Sequence, residues 1–544
     1  MTRRSLSGDS GWWLAILTAG FALMAQPAGA QLVGSQPAGV QSDAVVAIGK
    51  AIYHTAGTGL KPEIAVRLRG SDEMSSPRKF ACAACHGLTG QGGAEAGVRP
   101  PPIEWKTLAV LRTGQDFGRK RPPYDRASLK RAIILGIDAT GSPLGSGMPR
   151  YRMSDAQFEA LFAYLGILGT AADIDPGIRP TSIKLGTALP MTGSMAAIGE
   201  DIAATLRACF DEVNASGGIY GRRIDLMVMD SRGEPDETVA ATKRLIDNEA
   251  VFALVGNFLP GDQAALDTLI TAAEIPLLGP ISQAPREAAV SGTHIWHLLP
   301  TLSDQARVLI DYALAVVGRR KSQGPLRAAL VYANTADSHD AAQGAQQQLA
   351  LRGGETTVNL VFDPATFSAA DATRLVMSGS PDWIFFFGGV KEIETFAEYL
   401  AANQPHPPAL AALTMLSPTR NLPAAITANM VMAAPAEPAD AARLDGLATL
   451  LRQAGHSVDK PAFQVIAYAA CKVLVEAMTR SGRQLGRASL MDQLERLRGF
   501  ETGVLPPVSF APARRVGVRG ASIVGIDAAT GLYVPMGGWR LPTD

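Results

Sequence analysis

The chain has 544 residues, and its 50 Lys and Arg residues balance 50 Asp and Glu residues, so the formal net charge at pH 7 is zero. A hydrophobic content of 47 % is ordinary for a globular protein, and the length indicates more than one domain. Basic residues do not interleave with aromatic residues on any one predicted element, which argues against binding to nucleic acid.

The first thirty residues have the order of a secretory signal peptide. Arg3 and Arg4 precede an apolar run over 12–25, and small residues follow up to Ala30. This order predicts cleavage near Ala30 and a mature chain that begins near Gln31. The apolar run is too short to span a bilayer, which needs about 20 such residues. We therefore expect an exported, periplasmic protein.

Charge divides the remaining chain into two halves. Residues 31–170 carry 17 Lys and Arg against 11 Asp and Glu, whereas the rest of the chain carries 31 against 38. Between them, 171–182 has proline and glycine without apolar periodicity, as linkers do. The predicted organisation is a signal peptide (1–30), a first domain (31–170), a linker (171–182) and a second domain (183–544).

The first domain contains the string Cys82-Ala83-Ala84-Cys85-His86. A structural zinc site needs four ligands, and this domain has no second cysteine pair. A thioredoxin-like dithiol is expected beside a strand and a helix, which the preceding residues do not predict. Covalent attachment of haem uses the whole string, because one helical turn presents both sulfurs to the porphyrin edge and the histidine to the iron.

A second iron ligand is predicted 62 residues after His86. Met148 and Pro149 lie on a glycine-rich loop before a helix that Ser154 is expected to cap. A loop can bring a thioether across the far face of a haem, so we prefer Met148 to Met153, which we expect to pack. His54 is the other candidate, and we interpret it as a surface histidine.

These features resemble class I cytochromes c over about 43–168. The matching features are a first helix containing "GKAIY", the Cys-Ala-Ala-Cys-His string, the Met148-Pro149 loop and an aromatic last helix, while about 27 residues before Phe80 form an insertion. The first helix should pack on the last through an apolar face. That face comprises Val46, Ile48, Ala51 and Ile52.

The resemblance implies an all-α domain with one covalent haem c on Cys82 and Cys85, with iron held by His86 and Met148. Iron bound on both sides leaves no open position, so we expect electron transfer and no catalytic residues. The resemblance also places Arg99 and Trp105 near the haem propionates. The run 112–131 has seven basic and two acidic residues, which suggests a docking face for an acidic partner.

From Ser182 onward, short apolar strands alternate with amphipathic helices. Strands are predicted at "IKLGTALP", "RRIDLMVMD", "FALVGN" and "IPLLGP", and the rhythm restarts after Pro300 with "RAALVYAN", "TVNLVFD" and "DWIFFFGG". This alternation predicts two parallel α/β sheets, with ligands at the carboxyl ends of the strands. The strings at 182–246 closely resemble leucine/isoleucine/valine-type periplasmic solute-binding proteins, and the resemblance continues to about 540. It implies a two-lobed type I fold with hinges near Pro300-Thr301 and within 431–438.

The positions that hold an amino-acid ligand in that family are altered here. The loop after "FALVGN" offers Asp262 where a small hydroxyl residue is usual, and "ALAALTML" lacks the usual acidic residue. An acid near the ligand carboxylate would repel an amino acid. We therefore predict a small neutral or apolar solute, or alternatively a cleft that has lost its ligand and serves for docking. The predicted contacts are Ser194, Ile198, Asp262, Ile281, Gln283 and Val390.

The leading hypothesis is a periplasmic electron-transfer protein joined to a solute receptor, serving a partner protein such as a dehydrogenase. The alternative is the solute-binding receptor of an ABC permease with an accessory cytochrome domain. Because no nucleotide fingerprint, nucleophile elbow or metal-binding helix is found, we do not expect an enzyme. Cys209 and Cys471 lie in apolar helical patterns, and we predict buried free thiols in preference to a mutual disulfide.

Overall fold

The structure, a computed structural model, divides into two compact units between Leu168 and Gly169. It describes residues 43–57, 60–68, 74–75, 80–92, 100–112, 120–261, 264–281, 294–320, 325–404, 408–415, 422–437, 441–511, 514–527 and 529–543. The predicted signal peptide therefore lies outside the described residues, as do Arg99, Asp262 and Gln283.

The first unit is helical with one small sheet. Its helices are α1 (Asp43–Thr55), α2 (Cys82–His86), α3 (Trp105–Leu108), α4 (Arg126–Leu135) and α5 (Asp155–Ile167). Its strands are β1 (Ala65–Arg67), β2 (Met74–Ser75) and β3 (Arg150–Arg152).

Helices α1 and α5 pack closely, as the sequence predicted. A Cβ atom at Gly49 would lie 2.0 Å from the carbonyl oxygen of Ala160, so only glycine permits this approach of the two backbones. Ile52 is buried in the core, whereas Ile48 is 39 % exposed. The predicted apolar face was therefore wrong at Ile48. Ser154 caps α5 as predicted, since its hydroxyl accepts the N–H of Gln157.

The predicted insertion before Phe80 contributes two of the three strands. β1 pairs antiparallel with β2 and with β3, in the order β2-β1-β3. The register places Val66 opposite Tyr151. Because β3 directly follows Met148 and Pro149, the insertion supports the chain that leaves the methionine loop.

The second unit begins with a short 3-10 turn, Ala171–Asp173, and is then tied to its own core. The carboxylate of Asp175 accepts the backbone N–H of Arg487 at 2.5 Å, and Ile178 forms a bridge with Ile183. Residues 175–181, within the predicted linker, are thus fastened to the second unit.

The second unit has two sheets, and strands appear wherever the sequence predicted them. Five parallel strands form the first sheet in the order β5-β4-β6-β7-β8: β4 (Ser182–Leu189), β5 (Arg223–Asp230), β6 (Ala253–Val255), β7 (Leu277–Leu278) and β8 (Ile295–Trp296). The second sheet has the order β10-β9-β11-β12-β13-β14-β15 and is mixed, because β14 pairs antiparallel with both β13 and β15. The prediction of a parallel sheet was therefore wrong at this edge. Its strands are β9 (Arg327–Ala333), β10 (Glu355–Phe362), β11 (Trp383–Phe387), β12 (Ala409–Leu413), β13 (Met430–Ala434), β14 (Ala521–Ile526) and β15 (Tyr533–Arg540).

Each sheet is covered by helices on both faces, as parallel sheets require. Lobe 1 is the first sheet with α6 (Ala196–Ala215), α7 (Pro235–Asp247), α8 (Ala264–Ala272), α14 (Ala441–Gln453), α15 (Pro461–Ser481) and α16 (Arg487–Arg496). Lobe 2 is the second sheet with α9 (Leu302–Arg320), α10 (Ala336–Leu351), α11 (Ala369–Ser378), α12 (Val390–Asn403) and α13 (Ala424–Thr427).

The chain crosses between the lobes three times. The first crossing contains Pro300 and Thr301, and the second joins β13 to α14, so both lie where the sequence placed the hinges. A third crossing, which the sequence did not predict, runs from Val518 in the lobe 1 core to Ala521 in lobe 2.

The prediction of two free buried thiols in lobe 1 was wrong. Cys209 on α6 and Cys471 on α15 are fully buried and form a disulfide, with Cα atoms 6.5 Å apart. The sequence does not predict this pairing, because 262 residues separate the two cysteines. Only the packing of α15 against α6 brings them together.

Among the described residues, α15 alone is long and apolar enough to cross a membrane by length and composition. In this fold 61 % of the apolar 18-residue stretch of α15 is buried inside the protein. Its disulfide to α6 and its place in the lobe 1 core are typical of a central helix of a packed domain.

We expect Cys209→Ser to destabilise the second unit by about 2–5 kcal/mol, because the native cross-link restricts the unfolded chain. Urea unfolding followed by tryptophan fluorescence measures the change. The Cys209→Ser, Cys471→Ser double variant is the control, and it should be insensitive to added reductant. Equal unfolding midpoints for wild type and variant would contradict a stabilising role.

Candidate functional site

The first unit encloses a cavity of about 600 Å³ that brings together the residues predicted to hold a haem. Cys82, Cys85, His86 and Met148 all line it, and its volume lies in the range of about 300–1,000 Å³ usual for ligand and cofactor sites. The rest of the wall is mainly apolar. It includes Phe80, Leu108, Leu129, Ile133, Leu161 and Leu165.

Helix α2 is a single turn that ends on His86, and the chain beyond it fixes the imidazole. His86 is 7 % exposed, and its Nδ1 lies 2.8 Å from the carbonyl oxygen of Pro101. Since a carbonyl only accepts, Nδ1 carries the proton and Nε2 keeps a lone pair for a metal. Burial lowers the pKa of His86, which favours the neutral ligand form.

The segment that carries Pro101 can pass close to the chain after α2 because residue 92 is a glycine. A Cβ atom at Gly92 would lie 2.5 Å from the carbonyl oxygen of Pro100, and the φ angle of Gly92 is +80°. Both conditions select glycine at this position. The Gly92 N–H donates to the carbonyl oxygen of His86 at 2.8 Å, which closes the turn after the histidine.

Cys82 does not have the activated thiol of a nucleophilic cysteine. Burial raises the pKa of the Cys82 thiol to about 11, whereas reactive dithiols depend on a lowered thiol pKa. Among the described residues, no three His, Cys, Asp or Glu side chains are grouped to hold a metal ion such as zinc. Both observations favour haem attachment over the two other interpretations of the string.

Both candidate methionines line the cavity. Met148 lies in the turn at 146–148, and the Arg150 guanidinium donates to its carbonyl oxygen. Met153 is half-buried and directly precedes the cap of α5. His54 is not on the cavity wall; its Nε2 lies 2.9 Å from the hydroxyl oxygen of Tyr164.

One end of the cavity is polar, and the sequence analysis missed the residues that form it. Arg112, Arg121, Tyr124 and Asp138 line this end. Trp105, which was expected near the propionates, instead packs edge-on against Phe162 in the core. Arg112, Arg121 and Tyr124 lie within the basic run 112–131, which the sequence suggested to be an exposed docking face.

Arg121 is a buried cation. It is 8 % exposed and donates to the carbonyl oxygens of Thr107, Leu108 and Pro122, each at 3.1 Å. Burial lowers its pKa in spite of the nearby Tyr124 and Asp138, and no ion pair among the described residues includes it. Since a buried charge is costly unless compensated, an anionic group on the cavity's occupant fits this end.

The residues that line this cavity suit a haem. The histidine has one nitrogen fixed and the other available, a thioether lies on the same cavity, and two cysteines stand one turn apart. The apolar wall suits a porphyrin, while the arginine end suits its two carboxylates.

In the second unit, the four predicted solute contacts that the structure describes follow the carboxyl ends of strands. Ser194 is exposed in the loop after β4, and Ile198 is half-buried at the start of α6. Ile281 follows β7 and is 2 % exposed, packed in the lobe 1 core. Val390 is the first residue of α12 in lobe 2.

The loop that carries Ser194 is held by Asp230 at the end of β5. The Asp230 carboxylate accepts the N–H of Met191 at 2.9 Å and the hydroxyl of Thr192 at 2.6 Å. The Thr192 hydroxyl is therefore engaged within the protein, which leaves the exposed Ser194 as the hydroxyl of this loop that can meet a solute.

Three apolar residues at this edge were missed. Phe258 follows β6 and lies 6.4 Å, ring to ring, from Phe463 at the start of α15. Met415, in the loop where an acidic residue is usual, packs against core clusters of both lobes. Phe463 and Met415 are distant in sequence from the first loops, so only the fold reveals that they belong to this region.

Comparison with known proteins now settles the families. The periplasmic binding protein family matches residues 182–531, most of the second unit. The chain belongs to this family. The cytochrome c family matches residues 76–168, so the first unit is a cytochrome c domain.

Individual relatives agree with this assignment for the binding unit. An amino acid binding protein of Pseudomonas aeruginosa is 29 % identical over 161 residues, 29 % of this chain and 42 % of the relative. A Leu/Ile/Val-binding protein of Rhizobium johnstonii is 26 % identical over 206 residues, 38 % of this chain and 54 % of the relative. The matches thus span about half the length of these curated relatives.

A solved structure shares the fold of the binding unit. The ABC transporter substrate-binding protein from Sphaerobacter thermophilus superposes with a TM-score of 0.53 at 19 % identity, covering 67 % of this chain and 99 % of that one. The two-lobed type I fold predicted from the sequence is thereby confirmed.

We expect Arg121→Gln to lower the haem reduction potential of the cytochrome c domain. A buried cation favours the reduced form, which carries one positive charge fewer on iron. A tenfold fall in the reduction equilibrium constant, about 59 mV for one electron, is the expected size in a spectroelectrochemical titration. Arg126→Gln is the control, since Arg126 is exposed and its charge is screened by water and salt. Equal shifts in both variants would contradict this role of Arg121.

Proposed function

We propose that this protein is an exported electron-transfer protein with one covalent haem c, joined to a receptor for a small neutral or apolar solute. The observation that carries the redox half is the convergence of Cys82, Cys85, His86 and Met148 on one cavity. The cytochrome c match supports haem as the cofactor. The signal-like first thirty residues and the periplasmic binding protein match support export.

The residues that converge on the cavity would then have distinct roles. Cys82 and Cys85 would bond the porphyrin edge, while His86, oriented by the Pro101 carbonyl, and Met148 would hold the iron. Held by these two residues, the haem would supply one-electron exchange and would leave no position for a substrate. The apolar wall excludes water, and Arg121 would balance a propionate.

The partner of the redox half is a periplasmic electron donor or acceptor, such as a dehydrogenase whose substrate the binding unit senses or delivers. In the proposed docking face, residues 113–119 lie outside the described residues, and Arg121 is buried. In the described part of this run, Lys120 and Arg126 are exposed, and Arg126 also donates to the Glu159 carboxylate at 2.9 Å.

A second function is favoured by the extent of the family match. Because the periplasmic binding protein family covers 182–531, the binding unit would present its solute to an ABC permease and the cytochrome c domain would be accessory. Solute transport by the assembled permease that does not depend on the haem would favour this alternative.

The proposed solute follows from the apolar edge of lobe 1 and from Met415. Ile198, Phe258 and Phe463 all pack at the edge of the lobe 1 core, and the segment 409–416, which contains Met415, has no acidic residue to hold an ammonium group. Such a lining favours an uncharged ligand over a zwitterion. Ser194 or Asp262 would provide a polar contact, while Ile281, Gln283 and Val390 would complete the lining of the site.

The axial assignment is tested by Met148→Leu against Met153→Leu in the full-length protein. We expect Met148→Leu to lose the sulfur-to-iron charge-transfer band and to lower the reduction equilibrium constant at least tenfold, about 59 mV, because leucine cannot ligate. Met153→Leu should keep the band. Loss of the band in Met153→Leu alone would overturn the assignment, and a colourless mature protein with alkylatable cysteines would overturn the haem itself.

The solute class is tested by isothermal calorimetry with benzyl alcohol, benzamide, isobutanol and leucine. We expect binding of at least one neutral compound and none of leucine at millimolar concentration. Phe258→Ala should weaken the neutral ligand about tenfold, since loss of a buried aromatic contact costs about 1–2 kcal/mol. The matched control is Phe367→Ala in lobe 2, whose ring packs on Phe362 at 4.4 Å. Micromolar binding of leucine would refute an uncharged solute.

A further inference from the structure

We propose that Tyr151 is a positioning residue that fastens the Met148 loop to the chain carrying Cys82 and His86. The proposal rests on the proposed function, because it takes Met148 as an axial ligand. It assigns a purpose to the insertion before Phe80, which the sequence left without one.

Tyr151 joins the two sides of the haem cavity. It lies three residues after Met148, is 4 % exposed, and lines the cavity. Its hydroxyl donates to the carbonyl oxygen of Phe80 at 2.5 Å, and its phenol lies beside the sulfur of Cys82. One side chain therefore connects the strand that leaves the methionine loop with the residues that enter α2.

The insertion supports Tyr151 from behind. Val66 on β1 is fully buried and stands opposite Tyr151 in the sheet. The insertion is anchored in turn to α5, since the side-chain amide of Gln157 donates to the carbonyl oxygen of Pro62 at 2.6 Å. Backbone pairing and this anchor restrict the movement of β3.

The tip of the methionine loop is exposed, although the Met148 N–H donates to the Gly145 carbonyl oxygen at 3.2 Å. Gly145, Ser146 and Gly147 are exposed, and a Cβ atom at either glycine would meet nothing within 4 Å. A thioether is a neutral ligand that an external base can replace, so its retention depends on how firmly the loop is held. Arg150 and Tyr151, both on β3, are the residues that hold the loop's end.

Imidazole binding to the oxidised full-length protein measures how easily Met148 leaves the iron. We expect Tyr151→Phe to bind imidazole about five- to tenfold more tightly than wild type, as expected for loss of one buried hydrogen bond. The sulfur-to-iron band should disappear at a correspondingly lower imidazole concentration, while the Soret spectrum without imidazole stays unchanged.

Tyr53→Phe is the matched control. The Tyr53 hydroxyl also donates to a carbonyl oxygen, that of Gly87 at 2.6 Å, and Tyr53 is buried on the same cavity, but its bond lies on the histidine side. Imidazole affinity within about twofold of wild type is expected for this variant. If Tyr151→Phe does not mature with haem, Val66→Ala, which thins the packing behind the phenol, should raise imidazole affinity instead.

An unchanged imidazole affinity in Tyr151→Phe overturns the proposal, as does an equal increase in Tyr151→Phe and Tyr53→Phe. If only Val66→Ala can be measured, an unchanged affinity in that variant overturns it. A wild-type protein without the sulfur-to-iron band overturns the axial role of Met148 and this inference together. A wild-type band with no effect of Tyr151→Phe overturns the inference alone.

Discussion

The hydrogen bond from His86 Nδ1 to the Pro101 carbonyl is the constraint on which the cytochrome c domain depends. It selects the imidazole tautomer and directs Nε2 to the cavity. The bond requires the chain at 100–103 to return beside α2, and that return requires glycine at Gly92. A cofactor site thus depends on a backbone carbonyl fifteen residues beyond the histidine, whose position is set by the turn at Gly92.

The haem cavity has an apolar wall and one charged end. Apolar side chains from α3, α4 and α5 contribute to its wall together with apolar residues of the loops, while Arg121 and its neighbours form one polar end. Arg121 forms no ion pair with any residue that the structure describes, and such a buried cation is an expensive feature in an isolated protein. It becomes understandable when the occupant carries carboxylates, so the protein's charge distribution complements the cofactor's.

The binding unit uses a different means of holding its parts. Three chain crossings join its lobes, and lobe 1 is cross-linked internally by the Cys209–Cys471 disulfide. This bond lies within one lobe, so it stabilises lobe 1 without tying lobe 1 to lobe 2. Such an arrangement is compatible with lobes that move relative to each other around a solute.

The sequence alone determined the features that are local. The Cys82–His86 string, the cap at Ser154 and the alternation of strands with helices depend on neighbours within a few residues, so their spacing predicts them. Tertiary structure decided the rest. The burial of Arg121, the partner of Cys209, the exposure of Ile48, the bond from Tyr151 to Phe80 and the approach of Phe463 to Phe258 each depend on how distant segments pack. Spacing along the chain carries no information about such contacts, because they form only when separate helices and strands share one core.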